Sequence, residues 1–398
     1  MIKRLKVQNF KSLRSFELEL GPVNLLVGPN MAGKSNVIDA FKFLFDSLHP
    51  TAGQPSGLWS ALNARGPAGD VLWNGPASRA FSISLEGDRD EEPSTAWKYS
   101  MSVAVLPQGQ IQVQGEAFTL TRGGEERELL TPSPAAGGVM RFLKNYDGTD
   151  KGGVPGDNAS ALQGLGRTGD WDGRFLVPFI ESWRFYQFVP PLMRSANQTG
   201  AGAVLDPLGS NVSAWLMWLQ TNHPDRFARI SQAARDLLPG FAGLFATPTS
   251  QGTVFLSSQE VGLRTRINLW QMSDGELAVL AVLSLIYSPP EWTGSLYCIE
   301  EPESHLYPKV LSGIVRLLRQ VREEASAAGL PLSQLIITTQ SPELVDLFSL
   351  DEVIWLQKKE GATVPLRPRD KKHLRELVTD NDLGLADIVY SGILSEPE

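Results

Sequence analysis

The chain has 398 residues, 42% hydrophobic and 20% charged, with 36 Lys and Arg against 44 Asp and Glu for a formal net charge of −8. This composition excludes a mainly disordered chain. The acidic balance excludes a uniformly basic nucleic-acid binder, and one cysteine with four scattered histidines excludes an internal disulfide and a Cys- or His-rich metal site, as in a reducing cytoplasm.

The first 20 residues alternate (Ile2, Leu5, Val7; Leu13, Phe16, Leu18, Leu20) and predict two short strands. The apolar run 23–27, a Gly-rich turn and an amphipathic stretch with Val37, Ile38, Phe41, Leu44 and Phe45 predict strand, loop, helix. Residues 49–79 read as a long loop. Residues 80–121 alternate again between turn signals and predict an antiparallel meander. Residues 122–173, with many glycines and the run TPSPAAGG, read as loop-rich and partly mobile. Helices are expected at 211–221 and 225–238, and short strands near 252–257 and 263–269. From 273 onward helices alternate with strands at 296–299, 335–339 and 353–356, which implies a parallel sheet. The longest apolar stretch, 277–287, is well short of the ~18–20 residues that span a bilayer, and the basic N-terminus lacks the apolar core of a signal peptide. No direct membrane insertion is expected.

Three segments point to chemistry. Residues 28–35 read GPNMAGKS, the pattern G-x-x-x-x-G-K-[ST]. Gly28 and Gly33 let the backbone curl so that N–H groups face phosphate oxygens, and the helix opening at Lys34 points its positive end at the same anion. Lys34 is placed for the terminal phosphates and Ser35 for Mg²⁺. Residues 294–308 read GSLYCIEEPESHLYP, an apolar strand ending in Glu300 and Glu301. These side chains point to opposite faces unless the chain turns there. Cys298 within that strand reads as a small buried residue. Residues 272–286 read MSDGELAVLAVLSLI, where Ser273 and Glu276 make a capping box. The same Ser273 hydroxyl and Gly275 N–H could instead form a second anion site, and spacing alone does not separate the two.

In order, these segments resemble the ABC-type P-loop ATPases of the RecF/SMC and OLD-like group, most closely its stand-alone "predicted ATPase" branch. The resemblance runs through VQNFKSL and GPNMAGKS, RFYQFVPP at 184–191 as a Q-loop region, MSDGELAVL as signature, CIEEPESHLYP as Walker B and D-loop, and IITTQSPELVD as switch. It implies an α/β head with an antiparallel β lobe and a helical subdomain. It implies ATP and Mg²⁺ as cofactors, with Gly28, Asn30, Gly33, Lys34, Ser35 and Asn36 around the phosphates, and Lys11 and Ser12 beside the nucleotide. Ser35, Gln187 and Glu300 would support Mg²⁺, and Gln187 would also contact the attacking water. Glu301 would be the general base and Gln340 the switch residue. Ser273 and Gly275 would bind the γ-phosphate held by a second copy in an ATP-dependent homodimer. Against the family pattern, Met31 replaces a loop glycine, Glu300 stands where Asp is common, and Gln340 stands where a histidine is common. A glutamine cannot carry the proton, so turnover is expected to be slow without a partner. His305 reads mainly as part of the D-loop.

The resulting expectation is one composite head over 1–398. Strands and Walker A fill 1–48, an inserted meander with Gly-rich loops fills 49–174, the Q-loop and helical subdomain fill 175–272, and signature, Walker B and switch fill 273–398. A coiled-coil arm or fused nuclease is not expected within this length, so any nuclease or other effector would be a separate subunit. The leading function is an ATP-driven switch in a nucleic-acid-linked process, DNA repair or anti-phage defence. Alternatives are the ATPase of a membrane transport complex and a non-hydrolysing ATP-dependent interaction module. Residues 1–45 hold seven basic and three acidic side chains, 355–376 seven and three, and 86–130 four and nine. Nucleic acid therefore stays a possible partner at the basic ends, although such blocks are also ordinary solvated faces.

Overall fold

The computed structural model describes all residues except 55, 76–77, 90–94, 107–109, 136–137, 156–157, 166–169, 201–203, 291–292, 371–383 and 391–398. Part of the basic block expected at 355–376 lies outside the described residues. Two compact units are formed, one by Met1–Trp183 with Ile354–Asp370, the other by Arg184–Val353 with Lys371–Glu398.

In the first unit, β1 (Ile2–Phe10) and β2 (Leu13–Glu19) form a hairpin, β3 is Val23–Val27, and α1 is Lys34–Ser47. The alternation expected at the N-terminus is real: Ile2, Leu5, Val7 and Phe10 are fully buried. Phe43 of α1 packs edge-on against Phe10 and Phe81, with ring centroids at 5.7 and 5.2 Å, an arrangement worth ~0.5–1.5 kcal/mol per pair beyond burial.

The stretch 49–79 is not the long loop expected from its composition. It holds α2 (Gly57–Asn63) and a short turn of helix at Ala68–Val71. Ser56 caps α2 by accepting from Trp59 N–H. Arg65 donates to Asp39 at 2.9 Å and to Asp46 at 3.0 Å, tying the segment to α1. Burial raises the Asp46 carboxyl, and Arg65 opposes that rise.

The meander comprises β4 (Ala80–Arg89), β5 (Thr95–Val105) and β6 (Ile111–Arg122), as expected, and continues where loops were expected. β7 (Glu125–Ala135), β8 (Gly138–Lys144) and β9 (Asp150–Pro155) complete an eight-stranded sheet in the order β2-β1-β4-β5-β6-β7-β8-β9. The glycines that suggested a loop are a two-residue hairpin turn: Gly123 and Gly124 have φ of 57° and 86°, between Arg122 and its partner Glu125, as a primed turn requires. Pro132 and Pro134 are tolerated because β6 pairs with β7 only as far as Leu130. Beyond it the prolines pair only with β8, and their missing N–H groups cost no second ladder.

The second unit opens on β10 (Arg184–Tyr186), followed by β11 (Asn197–Gln198) and two helices at Val212–Asn222 and Pro224–Leu237, close to the ranges expected. β12 (Phe241–Pro248), which the sequence reading missed, pairs with β13 (Thr253–Glu260), and β14 is only Ile267–Asn268. The apolar helix Asp274–Ile286 precedes β15 (Leu296–Glu300), and the helix Pro308–Ala327 precedes β16 (Gln334–Thr339). β15 and β16 are parallel neighbours, as the helix–strand alternation implied, and the unexpected β10 pairs in parallel with β15. β17 (Val353–Lys359) turns back at Glu360–Gly361 into the unexpected β18 (Ala362–Leu366), an antiparallel hairpin of the first unit.

Candidate functional site

In the first unit β3 delivers the loop 28–33 to the start of α1. Glycine is required at both ends of that loop. A Cβ on Gly28 would sit 2.4 Å from the Leu356 carbonyl oxygen, and one on Gly33, whose φ is 100°, would sit 2.1 Å from Thr363 Oγ1. Met31 takes a left-handed φ of 67° with its side chain 89% exposed, so the chain makes this bend without glycine. Lys34 is only 6% exposed and donates to the carbonyls of Gly28 at 2.8 Å and Pro29 at 3.2 Å, which holds the ammonium inside the loop. The N-cap of α1 is Gly33, which brings no side-chain acceptor, and no acidic residue occupies the first turn. The positive end of the helix therefore keeps its attraction for anions. Asn30 and Ser35 are exposed beside it.

The other residues expected near the nucleotide brace the loop from behind. Ser12 Oγ shares a hydrogen bond of 2.7 Å with Thr363 Oγ1 and accepts from Asn36 Nδ2 at 2.7 Å. Thr363 Oγ1 also donates to Ala32 O at 2.9 Å. Lys11 Nζ lies 2.6 Å from Asp39. Thr363 was invisible in the sequence, because nothing local marks a strand residue that returns to a loop 331 positions away.

In the second unit the parallel strands end together. Tyr186 pairs with Ile299, so the next positions, Gln187 and Glu300, stand side by side at the carboxyl edge, with Glu300 paired to Thr338. The chain does turn after Glu300: Glu301 has φ of 42°, and its N–H donates to Thr338 O at 3.1 Å. This frees Glu301 from strand alternation, and Gln340 Nε2 reaches its Oε2 at 3.4 Å. Two residues that sequence reasoning missed hold Gln340. Glu303 Oε1 accepts from Gln340 N–H at 3.2 Å and from Thr339 Oγ1 at 2.6 Å. Tyr390 donates its hydroxyl to the Gln340 carbonyl at 2.8 Å. Burial raises the Glu303 carboxyl above the ordinary range. Burial, with the charges of Glu303 and Glu343, pushes the Tyr390 hydroxyl up to about 12. Cys298 is fully buried, and its thiol is pushed well up by that burial.

Ser273 realises the capping box: it accepts from Glu276 N–H at 3.2 Å, and Glu276 accepts from Ser273 N–H at 2.7 Å. Its neighbour Asp274 is paired to Arg194 at 2.6 Å, and His305 Nδ1 lies 3.8 Å from the same carboxylate. A Cβ on Gly275 would come within 2.9 Å of the His305 carbonyl oxygen, so the glycine lets the 301–307 turn pack on this helix start.

A glycine-bounded Lys-Ser loop at a helix N-terminus fits the phosphates of ATP. Among the described residues no group of three or more His, Cys, Asp or Glu is placed to hold a metal. The oxygen donors present, the Ser35 hydroxyl in the first unit and the strand-end carboxylates in the second, are of the kind Mg²⁺ takes.

These features make a P-loop in an ABC-type α/β fold, and they resemble the P-loop ATPases of the SMC/RecF/OLD-like group. Two family models match the chain, an "AAA ATPase domain" over residues 1–89 and an "AAA domain, putative AbiEii toxin, Type IV TA system" over residues 217–346. An OLD nuclease of Thermus scotoductus is 28% identical over 145 residues, a match covering 36% of this chain and 22% of that protein. The chain thus matches about a fifth of that relative's length. Two solved structures share the fold. An Smc head bound to the C-terminal winged-helix domain of ScpA has a TM-score of 0.53 at 13% identity, covering 92% of this chain and 97% of that one. An Smc head with an extended coiled coil, bound to the C-terminal domain of ScpA derived from Pyrococcus furiosus, has a TM-score of 0.51 at 12% identity, covering 95% and 99%.

Proposed function

We propose that this chain binds and hydrolyses ATP as a composite head, 1–398, that closes with a second copy when ATP is bound and acts as a switch in a nucleic-acid-linked process. The observation that supports this reading is the contact of Gln340 with Glu301 at the carboxyl edge of β15 and β16, beside Glu300 at the end of β15 and with Gln187 following β10. Gly28, Gly33, Lys34 and Ser35 bind phosphate, with Lys11, Ser12 and Asn36 bracing the loop that does so. Ser35, Gln187 and Glu300 would hold Mg²⁺, which when bound offsets charge on the β- and γ-phosphates. Glu301 takes the proton of the attacking water, oriented by Gln340 Nε2. Because Gln340 cannot relay a proton, turnover is slow until a partner improves this geometry. Ser273 and Gly275 meet the γ-phosphate held by the second copy. The nucleic-acid link, in DNA repair or anti-phage defence, rests on likeness to a protein named an OLD nuclease.

Calorimetry with ATP and Mg²⁺ tests the reading. Lys34→Ala should abolish binding. Glu301→Gln should bind as the wild type does, hydrolyse at least a hundredfold more slowly, and elute as a dimer in ATP. Unchanged affinity in the first variant, or unchanged turnover in the second, refutes it.

A further inference from the structure

In the first unit, three arginines, Arg89, Arg122 and Arg174, converge with Asp170, Asp172 and Phe175 on a cavity of about 420 Å³. None of these residues belongs to the phosphate loop or its braces. The sheet register brings two of them together. Arg89 ends β4 and pairs with Thr95, and Thr95 pairs on its other side with Arg122 at the end of β6. The two arginines therefore lie in one row on one face, two strand spacings or ~10 Å apart. The short helical turn Asp172–Phe175 adds Arg174.

Arg89 and Arg122 stack on aromatic faces. Arg89 lies 4.0 Å over the Phe175 ring, and Arg122 lies 4.9 Å over Tyr146. Such stacking orients a guanidinium without neutralising it. The two acids in the lining have further partners of their own. Asp170 pairs with Lys151, which lowers its carboxyl, and Asp172 accepts from the Tyr146 N–H at 2.7 Å. The nearby Arg127 is matched to Glu125 at 2.6 Å. Among the described residues neither Arg122 nor Arg174 has an ion-pair partner within 4.0 Å.

We propose that this cavity binds a phosphate ester, gripped by the forked guanidinium groups of Arg122 and Arg174, with Arg89 in the same lining. Arginine meets phosphate through paired N–H donors, and the volume admits a nucleotide-sized group. The ester belongs either to a free phosphate metabolite or to the backbone of a single-stranded nucleic acid. The proposal is independent of the ATPase reading.

Two probes separate the sources. One is a fluorescein-labelled 20-nucleotide oligothymidylate, followed by anisotropy without Mg²⁺. The other is inorganic pyrophosphate, followed by calorimetry on full-length Lys34→Ala protein, in which the phosphate loop is disabled. R122S/R174S is expected to weaken whichever probe binds by at least tenfold. For the oligonucleotide, losing two phosphate contacts should also reduce the log–log salt slope by about 1.4. R122K/R174K keeps the charges while removing the fork, and should fall between wild type and the serine variant; it decides the matter should the serine variant fail to fold. Loss confined to pyrophosphate assigns a metabolite, and loss for the oligonucleotide assigns nucleic acid. Equal binding by wild type and variants, or no binding of either probe to wild type below 1 mM, overturns the proposal.

Discussion

Glu116 is fully buried in β6, and Arg141 of β8, 1% exposed, donates to it at 3.0 Å. The same carboxylate accepts from Tyr99 Oη at 2.8 Å, Ser160 Oγ at 2.7 Å and Ala161 N–H at 2.7 Å, which anchors the helix Ala161–Leu165 to the sheet. Glu116→Ala leaves a buried guanidinium without its counter-charge, at a cost of ~3–5 kcal/mol. Set against a typical folding stability of ~5–15 kcal/mol, that is about a fifth or more of the total. For a unit of this size it corresponds to a fall in Tm of about 6–20 °C. The double variant Glu116→Met/Arg141→Met removes both charges and should recover part of the loss. The remainder reflects the Tyr99, Ser160 and Ala161 donors left without an acceptor. Urea denaturation followed by tryptophan fluorescence measures the cycle, with an expected coupling of ~1–3 kcal/mol. A single-variant cost below ~1 kcal/mol, or a coupling of zero, would show that the 122–165 region is not built around this pair.

Three further outcomes probe the second unit. Because burial raises the Glu303 carboxyl, the folded state holds its proton more tightly than the unfolded chain does. Stability is then full below the ordinary value of 4.5 and falls as pH rises through the raised folded value. Glu303→Gln keeps the acceptor for Thr339 and Gln340 and should gain on wild type between pH 4 and pH 8 in urea melts; a gap that shrinks with pH contradicts this. Tyr390→Phe removes one hydrogen bond worth ~0.5–1.5 kcal/mol and should lower kcat two- to tenfold with KM unchanged. The Tyr390 hydroxyl is pushed up to about 12, so the effect should be constant from pH 6 to 9. A change in KM alone would detach Tyr390 from the switch. Ser273→Asp keeps an N-cap acceptor, so its melting curve should stay within ~0.5 kcal/mol of wild type. The added negative charge should still block ATP-dependent dimerisation, and normal dimerisation would leave Ser273 with its capping role alone.

Where a structural feature depends on a few consecutive residues, the sequence was sufficient. The tight turn at Gly28 and Gly33, the ammonium at Lys34, the Ser273 capping box and the carboxylates ending the strand at Glu300 are local chemistry, because backbone sterics, helix-end donors and strand-end position all act within a handful of residues. Chain reversal and register were not legible in this way. Gly123 and Gly124 looked like loop residues, yet they are a hairpin turn that continues the meander. Thr363 meets Ser12 across 351 positions, Tyr390 meets the Gln340 carbonyl across 50, and Glu303 meets Thr339 across 36. Each of these contacts exists only once strands are paired in one register, and a one-residue slip would turn every side chain to the other face. The sequence by itself determined which groups could handle phosphate and a proton. Only the tertiary structure decided which distant side chains hold those groups in place, since hydrogen bonds act over about 3 Å and the chain must fold back before they form.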